Sequence, residues 1–88
     1  MAREKHTIVG VHITNRLQEA AAVQKLLTEY GNQIKTRLGL HDVGANVERN
    51  GLLLLEMVEP DGRIQELCDK LNALEGVEVQ SMVFYHTS

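Results

Sequence analysis

The chain has 88 residues, 43% of them hydrophobic and 24% charged, with a formal net charge of −3. That suits one small domain and leaves no case for disorder; the nine Lys and Arg residues form no basic run, which argues against a nucleic-acid partner. The single cysteine, Cys68, excludes an intramolecular disulfide and a one-chain thiolate zinc cluster, and no apolar run is long enough to span a membrane.

The apolar stretch near the N-terminus is too short for a signal peptide, so the expected location is cytoplasmic. A core of this size is only marginally stable, and association with a partner would help it.

Thr7 to Ile13 alternates, with Val9, Val11 and Ile13 on one side and Ile8, Gly10 and His12 on the other. That period predicts a first strand over 7–13. Asn15 is a good N-cap for a helix over 16–30, whose Ala20, Val23, Leu26, Leu27 and Tyr30 make one apolar stripe. Gly31-Asn32 would supply a left-handed cap. Residues 33–40 read as a second strand, with Ile34, Thr36, Leu38 and Leu40 on one face and Lys35, Arg37 and Gly39 on the other. Residues 41–50 form a polar connection.

Residues 51–58, GLLLLEMV, are the most apolar run and the expected central strand. Leu53, Leu55 and Met57 share one face, and Leu52, Leu54 and Glu56 the other. Pro60 stops the ladder and Asp61 is a candidate N-cap. Residues 62–75 carry Ile64, Leu67, Cys68, Leu71 and Leu74 at helical spacing, ended by Gly76. Residues 77–85 are the last strand, with Val77, Val79, Ser81 and Val83 alternating with Glu78, Gln80, Met82 and Phe84.

The order β-α-β-β-α-β predicts an α+β, ferredoxin-like βαββαβ sandwich in a single domain, with sheet order 4-1-3-2. Right-handed crossovers put both helices on one face. Val9, Val11, Ile13, Ile34, Leu38, Leu53, Leu55, Met57, Val77 and Val79 then face the helices. The open face holds Ile8, Gly10, His12, Leu52, Leu54, Gln80, Met82 and Phe84, with Lys35, Arg37 and Glu56.

A wet antiparallel face normally alternates into polar residues, and this one does not. Burying roughly 400 Å² of it per subunit would be worth about 10 kcal/mol before association costs. The expectation is a homo-oligomer, a dimer or tetramer, with Ile8, His12, Leu52, Leu54, Met82 and Phe84 at the interface.

Arg37, Lys35 and Gly39 are candidate contacts for an anionic small-molecule effector; the plainer reading of the two cations is a charged guard on an edge strand. His6 and His86 would neighbour each other on strands one and four, within reach of Glu56, a set able to take a transition metal such as nickel, zinc or iron. Both histidines lie near chain ends, where they are commonly just solvated. No catalytic residue is expected, since neither a Ser-His-Asp nor a Cys-His arrangement can be built.

The chain resembles the iron-only hydrogenase system regulator family. The resemblance rests on Val23-Gln24-Lys25-Leu26-Leu27 with Tyr30, on Ile34 and Arg37-Leu38-Gly39, on the apolar third strand, and on Leu67 to Leu74 running into Gly76-Val77. The family is ferredoxin-like and is similar to ACT domains and to the effector domain of nickel-responsive regulators. The resemblance implies a regulatory, effector-sensing module that oligomerises. Two departures are visible. Thr14-Asn15-Arg16-Leu17 stands where an amino-acid-binding ACT domain has Asp-x-Pro-Gly, and no closely spaced histidine pair lies on one strand.

The leading expectation is a non-enzymatic, ACT-like regulatory module. The alternatives are a metal-responsive module and a small dimeric ferredoxin-like enzyme with Arg37 and His12 in a cleft.

Overall fold

In the computed structural model, residues 3–14, 16–40, 51–58 and 60–87 are described. Four strands and two α-helices follow in the order β1 (Arg3–Ile13), α1 (Arg16–Glu29), β2 (Ile34–Leu40), β3 (Gly51–Met57), α2 (Asp61–Asn72) and β4 (Val77–Thr87). The sheet is antiparallel in the order β2-β3-β1-β4, the expected ferredoxin-like arrangement. The most apolar strand, β3, is central, as its composition requires.

The core lies between one sheet face and the helices. Val9, Val11, Ile13, Leu55, Met57 and Val77 meet Val23, Leu27 and Tyr30 of the first helical segment and Ile64, Leu67, Cys68 and Leu71 of α2. Each fully buried apolar side chain is worth about 1.5–3 kcal/mol, so this stripe holds α2 to the sheet far more firmly than helix propensity does.

Several local expectations are corrected. Gly31-Asn32 does not form a left-handed cap; Gly31–Gln33 is one turn of 3₁₀ helix, with Gln33 donating to the Tyr30 carbonyl at 2.9 Å. Asp61 is not the N-cap of α2. Pro60 holds that place and Asp61 sits in the first turn, where it pairs with Lys5. A carboxylate there also suits the helix dipole. The expected cap at Asn15 lies outside the described residues. α2 stops at Asn72, and the chain turns through Ala73 to Gly76. Gly76 has φ +79°, and a Cβ on it would stand 3.0 Å from the Thr14 carbonyl oxygen, so two independent demands select glycine there.

β2 departs most from the sequence pattern. A bulge between Ile34 and Thr36 shifts its register against β3. Ile34 pairs with Met57 and packs on the core, but Thr36 then pairs with Glu56, Arg37 with Leu55 and Leu38 with Leu54. A one-residue slip turns every later side chain to the other face. Leu38, expected in the core, is 52% exposed and stands on the open face. Arg37, expected on the open face, stands on the helix side, where its Nη2 donates to Gln24 Oε1 at 3.2 Å.

β1 and β4 pair along their whole length, from Ile13 opposite Val77 to Arg3 opposite Thr87. β3 ends at Met57, opposite Thr7. Residues 3–6 and 84–87 therefore continue as a two-stranded ribbon beyond the rest of the sheet.

Candidate functional site

The open face is built by period-two alternation from all four strands. β1 brings Ile8, Gly10 and His12, β3 brings Leu52, Leu54 and Glu56, β4 brings Gln80, Met82 and Phe84, and the bulge adds Leu38 from β2. Leu52, Leu38, Met82 and Phe84 are exposed, the last three by more than half. Ile8 and Leu54 are half-buried between them. The apolar patch expected from the sequence is therefore present, with Leu38 as a member that the alternation had placed on the other side.

One end of this face is concave. Gly10, His12, Leu52, Glu78 and Gln80 line an open depression of about 390 Å³. Its floor exists because position 10 lacks a side chain. A Cβ there would come to 3.8 Å from both the Gln80 carbonyl oxygen and Leu54 Cδ2, filling the floor without a clash. His12 stands between Leu52 on β3 and Glu78 on β4. Gln80 Nε2 donates to Glu78 Oε2 at 2.9 Å, which fixes the amide and leaves its carbonyl end available. The depression thus offers an imidazole, a carboxylate and an amide beside an apolar wall. Glu78 and Gln80 were not singled out from the sequence, because only strand register brings them to His12.

The remaining candidates are not gathered in one place. Lys35 Nζ lies 3.9 Å from Glu56 Oε2, and Thr36 Oγ1 donates to Glu56 Oε1 at 3.1 Å. Lys35 thus reaches the open face while Arg37 and Gly39 lie on the helix side, so the three do not form one anion site. Glu56 is drawn toward β2, away from His6, whose β4 neighbour is Phe84. The side chain of His86 lies outside the described residues. Among the described residues, no three of His, Cys, Asp and Glu come together in a metal-binding geometry.

On the helix side, charged groups close over Tyr30. Its hydroxyl donates to Glu66 Oε2 at 3.1 Å, and the Arg63 guanidinium lies 4.3 Å from the ring centroid. Hydrogen bonds to Tyr30 and then to Glu29 push the Lys70 pKa up. This cluster joins α1 to α2, with Lys70 Nζ 3.3 Å from Glu29 Oε2. Cys68 lies beneath α2; burial, and then the neighbouring Asp69 charge, push its thiol pKa up, the reverse of an activated nucleophile.

A family model described as "TM1266-like: Iron-only hydrogenase system regulator, putative" matches residues 5–81. Among solved structures, the uncharacterized protein TM1266 from Thermotoga maritima is 23% identical, with a TM-score of 0.76 over 91% of this chain and 98% of that one. CPII, a nitrogen regulatory PII-like protein from Thiomonas intermedia K12 bound to ADP, AMP and bicarbonate, is 9% identical, with a TM-score of 0.64 over 99% of this chain and 96% of that one. A dimeric ferredoxin-like protein from an uncultured marine organism is 11% identical, with a TM-score of 0.55 over 96% of each chain. At these identities the structures share the fold. No curated protein matches the chain.

Proposed function

The chain belongs to the TM1266-like family of iron-only hydrogenase system regulators, and on that premise we propose that it is a non-enzymatic, small-molecule-sensing module. The observation that carries this reading is the depression at Gly10, His12, Leu52, Glu78 and Gln80, which opens onto an exposed apolar sheet face. A ligand held there would touch whatever covers that face. Binding and assembly would then be linked, which is how a domain without a catalytic group passes on a signal.

The polar groups around the depression restrict the ligand. One imidazole beside one carboxylate, on a chain of net charge −3, suits a small polar molecule that is neutral or weakly charged. It does not suit a polyphosphate, which needs several cations. The buried Cys68 with its raised pKa supports the non-enzymatic reading. The cover of the open face is proposed to be a second copy of the chain.

Thermal unfolding of the intact protein against a panel of small metabolites tests this, with ADP, AMP and bicarbonate included because the PII-like neighbour binds them. The expected result is a compound that raises the Tm of the wild type but not of His12→Ala or Gly10→Val. A stabilising compound that acts equally on all three proteins overturns the placement of the site.

A further inference from the structure

The two edges of the sheet are chemically unlike. β2, at one edge, carries Lys35, Arg37 and a bulge, the usual devices that stop a strand from pairing with another chain. β4, at the other edge, has none of them over residues 79–85. The stretch VQSMVFY contains no charge, no proline and no glycine, and is rich in β-forming residues.

Backbone direction identifies which groups this edge offers. In an antiparallel ladder both the N–H and the C=O of a residue point to the same neighbour, and successive residues alternate. Thr14 donates to the Gly76 carbonyl at 2.7 Å, so the even positions of β4 face β1. Consistently, Val77 donates away from β1 to the Leu74 carbonyl at 3.2 Å, and Val79 to Asn72 Oδ1 at 3.0 Å. α2 thus covers the start of the edge. Ser81 and Val83 follow in the outward phase, and their N–H groups meet no partner among the described residues.

We infer that β4 pairs antiparallel with β4 of a second copy about a two-fold axis at Met82, joining two four-stranded sheets into one of eight. In this register the outward groups of Ser81 exchange N–H···O=C bonds with those of Val83 in the other copy, and Val83 does the same with Ser81. Met82 faces Met82 across the axis. Phe84 faces Gln80, and its ring covers an uncharged amide. The ladder ends at Val79, whose N–H is already held by Asn72. A second copy is the fitting occupant because an isologous contact needs a segment complementary to its own reverse. This edge has such a segment, with its outward backbone groups spaced equally about Met82 and no like charges opposed. Pairing would also cover Met82, Val83 and Phe84, which are 53%, 41% and 56% exposed in the single chain. This contact lies at the sheet edge and is separate from cover of the open face.

Two variants test it. Opposed residues of a non-hydrogen-bonded antiparallel pair have Cβ atoms about 4.5–5.5 Å apart, within adjustment of disulfide geometry. Met82→Cys should therefore give a covalent dimer under mild oxidation on a non-reducing gel, while the wild type, with Cys68 buried, should not. Ser81→Pro removes an outward donor and spares the ladder to β1. It should weaken dimerisation at least tenfold in sedimentation equilibrium with an unchanged circular dichroism spectrum. If the proline variant fails to fold, Val83→Lys provides the same reading through an edge charge. Absence of a Met82→Cys cross-link, or a folded edge variant that associates like the wild type, overturns the pairing. Leu38→Lys, which touches only the open face, should leave the Met82→Cys cross-link intact.

Discussion

Leu38 stands opposite Leu54 on the face of the sheet that carries no helix. The pair exists because the bulge between Ile34 and Thr36 turns the second half of β2 over. It extends the apolar surface of β3 to the sheet edge and takes Arg37 to the other side, against Gln24. Six apolar side chains among the described residues (Ile8, Leu38, Leu52, Leu54, Met82 and Phe84) then lie on one open face.

Charge placed in that face should separate assembly from folding. Leu38 is 52% exposed, so Leu38→Lys should change the unfolding free energy by no more than about 0.5 kcal/mol. It should nevertheless lower the mass seen by light scattering at micromolar protein. A variant that unfolds would place Leu38 in the core after all; one with an unchanged mass would remove the open face from the interface.

Gly76 is constrained twice, by its φ of +79° and by the Thr14 carbonyl oxygen 3.0 Å from the site of a Cβ. Gly76→Ala should cost about 2 kcal/mol in urea unfolding. Gly62→Ala is the control, because nothing lies within 4 Å of its Cβ site. Equal effects from the two substitutions would contradict this account.

Asn72 Oδ1 accepts the Val79 N–H at 3.0 Å. Asn72→Ala should cost about 1 kcal/mol, the usual net worth of one hydrogen bond. It also uncovers one more outward donor on β4. Hydrogen exchange at the Val79 amide should therefore accelerate while the amides of β1 stay protected.

The Tyr30 hydroxyl donates to Glu66 while its ring is fully buried under Arg63. Tyr30→Phe removes only the hydrogen bond and should cost about 1 kcal/mol, whereas Tyr30→Ala should cost about 3–5 kcal/mol by emptying the core. Chemical denaturation of both variants checks the ratio.

Burial, and then Asp69, raise the Cys68 pKa. Above the ordinary thiol pKa the unfolded chain gives up a proton that the folded chain keeps. Stability therefore falls as pH rises through that range, and Cys68 adds no such slope below it. In Cys68→Ala the alkaline decline should be shallower. Alkylation of the native thiol should be limited by opening of α2 and should accelerate steeply in denaturant.

Much of the scaffold was legible in the residues themselves. Val9, Val11 and Ile13 alternate, Ile64, Leu67, Cys68 and Leu71 recur at helical spacing, and Gly76 marks a turn that only glycine fits. The apolar excess of Leu52 and Leu54 pointed to an open apolar face. The bulge was not legible, because Ile34, Thr36 and Leu38 look like one uninterrupted alternation. The ribbon was also missed at its N-terminal end. Arg3 to His6 has no apolar alternation, and it is a strand only because β4 supplies hydrogen bonds along its length. The depression was hidden for a related reason: Gly10, His12, Leu52, Glu78 and Gln80 are brought together by the registers of two strand pairs.

The elements, their order and the sheet topology were readable in the residues, since these follow from local period, turn chemistry and the handedness of crossovers. Only the folded structure shows which face Leu38 and Arg37 occupy, where β2 bulges, and what surrounds His12. Those depend on register, and a single extra residue in one strand reverses every face beyond it at almost no cost to the local pattern.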